Sequence, residues 1–147
     1  MTLAIPKGVT TPEEHAAIYQ LEKDFVRHGI SFEPPLTHTF TNGLYSRKIE
    51  MPAGLFITSK IHMTQHQWVC VSGVAEVFIG GEWITVKAGD SGITEPGTRR
   101  VLRIIEDTVW ITYHPNPENF KTVEEIENSI IFSHKEHLEG IPRRSIE

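Results

Sequence analysis

Between Leu44 and His114 the chain alternates apolar and polar residues in short runs rich in valine, isoleucine, threonine and aromatics. A two-residue period is that of half-buried β-strands, whose successive side chains leave on opposite faces. The clearest unit is Val74–Ile79, Gly80-Gly81, Glu82–Lys87. A Gly-Gly pair accepts the positive φ of a two-residue hairpin turn, and the alternation sets Ala75, Val77 and Ile79 opposite Ile84 and Val86. Further turns are read at Pro52–Gly54, Ser72-Gly73, Ala88–Asp90 and Pro96-Gly97. About seven or eight short strands of this kind predict a mainly β fold, a closed barrel or jelly roll.

The period lengthens at both ends. Thr11 followed by Pro12, Glu13 and Glu14 supplies an N-cap, a first-turn proline and acids for the helix dipole. Ile18, Leu21 and Phe25 then recur at helical spacing, and Gly29 is placed to end the helix. Ser31 to Leu36, with Pro34 and Pro35, reads as an extended connector. Past Pro115 and Pro117, Thr122 and Glu125 form a capping box ahead of Ile126 and Ile130, predicting a second helix. The expected layout is one domain: an N-terminal helical arm and connector over 1–40, a barrel over 41–116, a C-terminal helix and tail over 117–147.

Composition narrows the classes. A chain of 147 residues, 39% hydrophobic, supports one core. Its net charge of −5, from 14 basic and 19 acidic residues, offers no basic footprint for nucleic acid. The lone Cys70 excludes an internal disulfide and a thiolate zinc cage. No run approaches the ~20 apolar residues that cross a bilayer, and Met1–Gly8 lacks the pattern of a secretory signal, so neither membrane nor export is expected.

Candidate chemistry is concentrated where Gly54 is followed by Lys60-Ile61-His62, then His66, then Gly73. This spacing resembles the first motif of the cupin superfamily (RmlC-like jelly rolls), with Lys60 where that motif has its first histidine and His66 where it has glutamate. Gly89, Pro96-Gly97 and Arg100 follow the register of the second motif, with Arg100 in place of its histidine and Ile104 in place of its asparagine. The resemblance implies a cupin barrel whose metal motif is not intact. More narrowly, Lys60–His66, Pro96–Arg100 and Glu106–Pro115 look like small cupin-like proteins encoded by tailed bacteriophages, which implies residence in a virion or in host cytoplasm.

Three uses of these residues remain open. His62 and His66, joined by His114 from the last strand, have the donors for a divalent transition metal such as Zn, Fe, Mn or Ni. Lys60 and Arg100 could instead hold a small carboxylate or phosphate. Cations oppose a metal: at ~4 Å and an effective dielectric near 20, each charge pair is worth about 4 kcal/mol. In the third use Lys60 and Arg100 pair with acids such as Glu76 or Glu95, and the histidines are satisfied core groups.

Alternation on the neighbouring strands sets further expectations. Phe56, Thr58, Lys60 and His62 share one face, expected inward, and Leu55, Ile57 and Ile61 share the other, expected to need cover from a helix or a second subunit. On the last strand the more apolar face holds Val109, Ile111 and Tyr113, which points His114 outward. Arg99, opposite Arg100, is expected at the surface or at a subunit contact. Cys70 reads as inert packing. His134 and His137 have a metal-like spacing in a charged tail. The leading expectation is a non-enzymatic virion component or accessory binder, homo-oligomeric and in contact with other virion proteins. The alternative is a metal-dependent enzyme or small-anion binder using His62, His66 and Arg100.

Overall fold

A computed structural model of the chain describes residues 10–28 and 34–131. The strands are β1 (Leu36–Thr41), β2 (Gly43–Met51), β3 (Phe56–Thr58), β4 (His66–Ile79), β5 (Glu82–Lys87), β6 (Ser91–Thr94) and β7 (Val101–Asn116). Helix α1 (Pro12–Arg27) precedes them and α2 (Val123–Ile130) follows. All pairings are antiparallel, in the order β1-β2-β7-β4-β5, with β3 on β7 and β6 on β4. The long strands β4 and β7 run through both halves of the sheet and bend it round into a cupin-type jelly roll. Among the described residues no helix is long and apolar enough to cross a membrane.

The bend has a local cause. The β4–β7 register slips between Cys70 and Ala75, where Gly73 takes φ +94°. A Cβ there would run into the Asp107 carbonyl and lie 2.6 Å from Thr108 Cα. Only glycine lets the strands approach this closely while one turns a corner. The hairpin β4–β5 pairs Ala75 with Val86 and Val77 with Ile84 about Gly80-Gly81, as the alternation predicts.

The core inside the curl is Met51, Cys70, Ala75, Val77, Val86, Leu102, Ile104 and Trp110, with Leu55, Ile57 and Trp68 packed against it. Leu55 and Ile57 therefore face inward and Phe56 is 46% exposed, the reverse of the expected parity. Strand β1 begins at Leu36, within the expected connector. A second cluster of Tyr45, Ile126 and Ile130, flanked by Phe40 and Phe120, docks α2 on one end of the barrel. Asn116, fully buried, directs the chain there by accepting from Phe120 N–H at 2.9 Å and donating to its carbonyl at 3.0 Å.

Both helices are capped. Thr11 and Glu14 exchange backbone N–H bonds at 2.8 and 3.1 Å, and Thr122 Oγ1 accepts from Glu125 N–H at 3.2 Å. Helix α1 buries His15, Ile18, Tyr19 and Glu22, spaced along one stripe. Arg99 anchors it: only 2% exposed, it donates to the Glu22 carboxylate at 2.6 Å and to the Ser59 carbonyl at 2.9 Å. Arg99 is thus a buried tether rather than the surface group that its position opposite Arg100 predicts. Gly29, His134 and His137 lie outside the described residues.

Candidate metal and anion site

Pairing places one row of inward side chains across the docked end of the barrel: Phe40 opposite Tyr45, Tyr45 opposite His114, and His66 opposite Thr94. The neighbouring row sets His38 opposite Arg47, Arg47 opposite Thr112, and Thr112 opposite Trp68. His62 arrives from outside a regular strand. Its carbonyl accepts from Gly97 N–H at 2.9 Å, it bridges to Ile131, and the next N–H, of Met63, donates to Ile130 O at 2.6 Å. The Pro96-Gly97 turn and the end of α2 thus hold it over the row.

His62, His66 and His114 come together. Their ring centroids are 4.5 to 5.1 Å apart, and one nitrogen from each lies within 4.8 Å of the other two. All three are buried, His114 completely. His114 faces inward because β7 buries Thr108, Trp110, Thr112, His114 and Asn116. The more polar face of this strand is the internal one, which overturns the outward expectation.

Among the described residues each ring has a buried nitrogen without a hydrogen-bond partner: Nε2 of His62, Nδ1 of His66 and Nδ1 of His114. Satisfied core histidines would not, since buried polar groups are paired as a rule and an orphan costs ~1–3 kcal/mol. His114 Nε2 lies 2.8 Å from Thr112 Oγ1. With that nitrogen donating to the hydroxyl, Nδ1 keeps its lone pair free toward the other rings.

The electrostatics keep the rings neutral. Burial, then repulsion from Arg100 and Arg47, lowers His66 to about 4; burial, then His66 and Arg47, lowers His114 to about 2. His62 is held well below the usual range by burial and by the same neighbours. A neutral imidazole is the form that binds a metal. The donor set fits a divalent transition ion: three neutral imidazoles, although 4.8 Å is wider than the ~3.4 Å between tetrahedral ligands bound at ~2.1 Å, so the rings would close in slightly.

Two guanidiniums share the interior. Arg100 is 6% exposed with Nε unpartnered, and burial lowers it to about 10, still charged at neutral pH. Arg47, absent from the sequence expectation, also has an orphaned buried Nε and is lowered chiefly by burial. Its signal was present: Tyr45, Ile49 and Met51 mark the odd positions of β2 as the apolar face, and Arg47 has that parity. Among the described residues neither arginine has a carboxylate within 4.0 Å.

Lys60 does not join them. Its ammonium pairs with Glu127 of α2 at 3.6 Å, with 38% of the side chain exposed. Strand β3 stops at Thr58, so alternation cannot be carried through to residue 60. The acids considered as internal partners are occupied elsewhere: Glu76 pairs with Arg103 at 3.5 Å, and Glu95 accepts from Gln65 at 2.9 Å. Cys70 is buried, and its thiol is pushed up by burial and by Asp90, which leaves it inert.

Comparison with solved structures agrees with the fold. A Klebsiella pneumoniae protein with a double-stranded β-helix domain is 25% identical over 60% of this chain and 81% of its own, with a TM-score of 0.52. A Neisseria meningitidis protein is 10% identical over 63% and 95%, TM-score 0.51. A cupin-2 domain protein from Shewanella frigidimarina matches over 65% and 92% at 12% identity, TM-score 0.47. No protein-family model matches the chain, and no curated protein does. The fold is thus a jelly roll of the double-stranded β-helix kind.

Proposed function

We propose that this chain is a metal-dependent cupin-type protein that holds a divalent transition ion on His62, His66 and His114 and a small anion beside it. The observation that carries the reading is the convergence of three buried imidazoles, one nitrogen of each within 4.8 Å of the other two, in rings that each also hold a buried nitrogen without a partner among the described residues. Evolutionarily unaided packing would avoid such a cluster, because each orphan destabilises the apoprotein.

Charge explains the anion. A divalent ion on three neutral ligands, next to two guanidiniums, is strongly under-compensated in a low-dielectric interior. An anion lying between ion and arginines relieves this, so metal and anion reinforce each other's binding. When bound, the ion supplies Lewis acidity to such a ligand. The chain's own residues do the remainder: Thr112 orients His114, Arg100 and Arg47 attract and orient negative charge, and α2 with the Pro96-Gly97 turn fixes His62.

Elemental analysis of the untagged protein, incubated with Zn, Mn, Fe(II) or Ni and then dialysed, tests the reading. About one ion per chain is expected, falling to background in the His62→Ala, His66→Ala double variant. No retained ion with any of the four overturns it.

A second, non-enzymatic reading is favoured by a different observation, the exposed apolar side chains Phe56, Trp83 and Ile105 on the outer face of the sheet. In it the barrel is a homo-oligomeric building block of an assembly such as a phage virion. Mass spectrometry of purified virions decides this: absence of the chain removes it.

A further inference from the structure

Beside the imidazole cluster lies a cavity of about 180 Å³. Its walls are apolar, formed mainly by Trp68, Trp110, Val77, Ile79 and Val86. The two indoles stack on each other at 4.8 Å with planes 16° apart, a rigid aromatic pair in the lining. An apolar cavity of ~150 Å³ is known to accept benzene, so the space suits a body of about one ring.

The polar end is narrow and specific. Among the lining residues Arg100 is the one charged group, and Thr94 is the only hydroxyl. Both are buried, and both present an atom with no partner among the described residues, Arg100 Nε and Thr94 Oγ1. Thr94 is the cross-strand partner of His66, so this end of the cavity borders the imidazoles.

We infer that the cavity is a subsite for a small organic acid, with one carboxylate head on Arg100 and Thr94 and a flat apolar body of about one ring against Trp68 and Trp110. This rests on the reading of the barrel interior as a ligand site and names its ligand class. A single guanidinium faces the cavity, and a neutral head leaves that buried charge uncompensated, so the head is anionic. The head lies next to the rings that would hold a metal, while the body lies among the apolar side chains toward the open side lined by Ile84 and Ile93.

The test titrates benzoate into the full-length protein, with tryptophan fluorescence and calorimetry as readouts and metal content measured on the same sample. Benzoate is expected to bind at least about tenfold more tightly than benzamide, which keeps the ring and loses the charge. It is expected to surpass acetate, which keeps the head and loses the body, and inorganic phosphate, by a similar factor. Arg100→Met should weaken benzoate about tenfold and leave benzamide unchanged, a selectivity that a merely structural loss would not produce. Gly92→Ala supplies a variant without any charge change. Its Cβ would lie 2.9 Å from the Trp68 ring, so the indole must shift, and benzoate binding should fall while metal content stays.

Equal binding of benzoate and benzamide overturns the inference, as does acetate or phosphate binding as well as benzoate, or no binding of benzoate to protein that retains metal. Benzoate selectivity in protein that takes up no metal sustains the inference and removes the metal from the proposed function instead.

Discussion

At His62, His66 and His114 burial works against stability, because three ring nitrogens are taken from water and given no partner among the described residues. Removing one should therefore relieve the apoprotein while destroying the site. His62→Leu is expected to leave apoprotein stability unchanged or raise it by about 1 kcal/mol, measured by urea unfolding, and to abolish metal uptake. A large loss of apoprotein stability would mean that the ring is a satisfied structural group. Arg99 behaves oppositely, since its charge is matched by Glu22 at 2.6 Å in a buried setting. Glu22→Ala removes the matched charge from that guanidinium and should cost ~3–5 kcal/mol in the same assay. These two predictions separate charged or polar groups that serve a ligand from those that serve the fold.

Among the elements, β4 and β7 carry the architecture and most of the site. Gly73→Ala combines a positive φ with a backbone collision, so at least ~3 kcal/mol should be lost in equilibrium unfolding. Little or no loss would show that the bend does not depend on it. What the sequence made legible was local chemistry: the Gly80-Gly81 hairpin, the Thr122 capping box and the Thr11 helix start each depend on neighbours a few residues away. Parity was legible only where a strand is continuous and amphipathic in the usual sense. It failed at residues 56–62, where β3 ends at Thr58 and the chain reaches His62 irregularly. It failed at His114 because β7 buries four polar side chains, Thr108, Thr112, His114 and Asn116, on its inner face, so hydrophobicity pointed the wrong way. Arg47 was missed although its parity on β2 gave it away, and the Arg99–Glu22 tether is a contact across 77 positions that no local pattern encodes.

For the whole molecule the buried rings couple folding to pH. An unfolded histidine titrates near 6.5, whereas His66 in the folded chain titrates at about 4 and His114 at about 2. Below pH ~6.5 the unfolded chain takes up protons that the folded chain refuses, so this contribution is intact above that value and is lost as pH falls. Each such histidine steepens the decline by up to ~1.4 kcal/mol per pH unit, toward pH 4 for His66. Unfolding midpoints in urea between pH 7.5 and 4.5 check this; a profile flat across the window would mean that the rings titrate normally. Metal-loaded protein should lose its ion over the same range, because protons compete for the same nitrogens.

The most direct test is the X-ray absorption spectrum of zinc-loaded protein, which reports the atoms around the ion. Three imidazole nitrogens at ~2.0–2.1 Å, completed by an oxygen ligand, are expected. A shell made of oxygen alone, or a full zinc complement retained after His62, His66 and His114 are replaced, would contradict the assignment of the ion to the barrel interior.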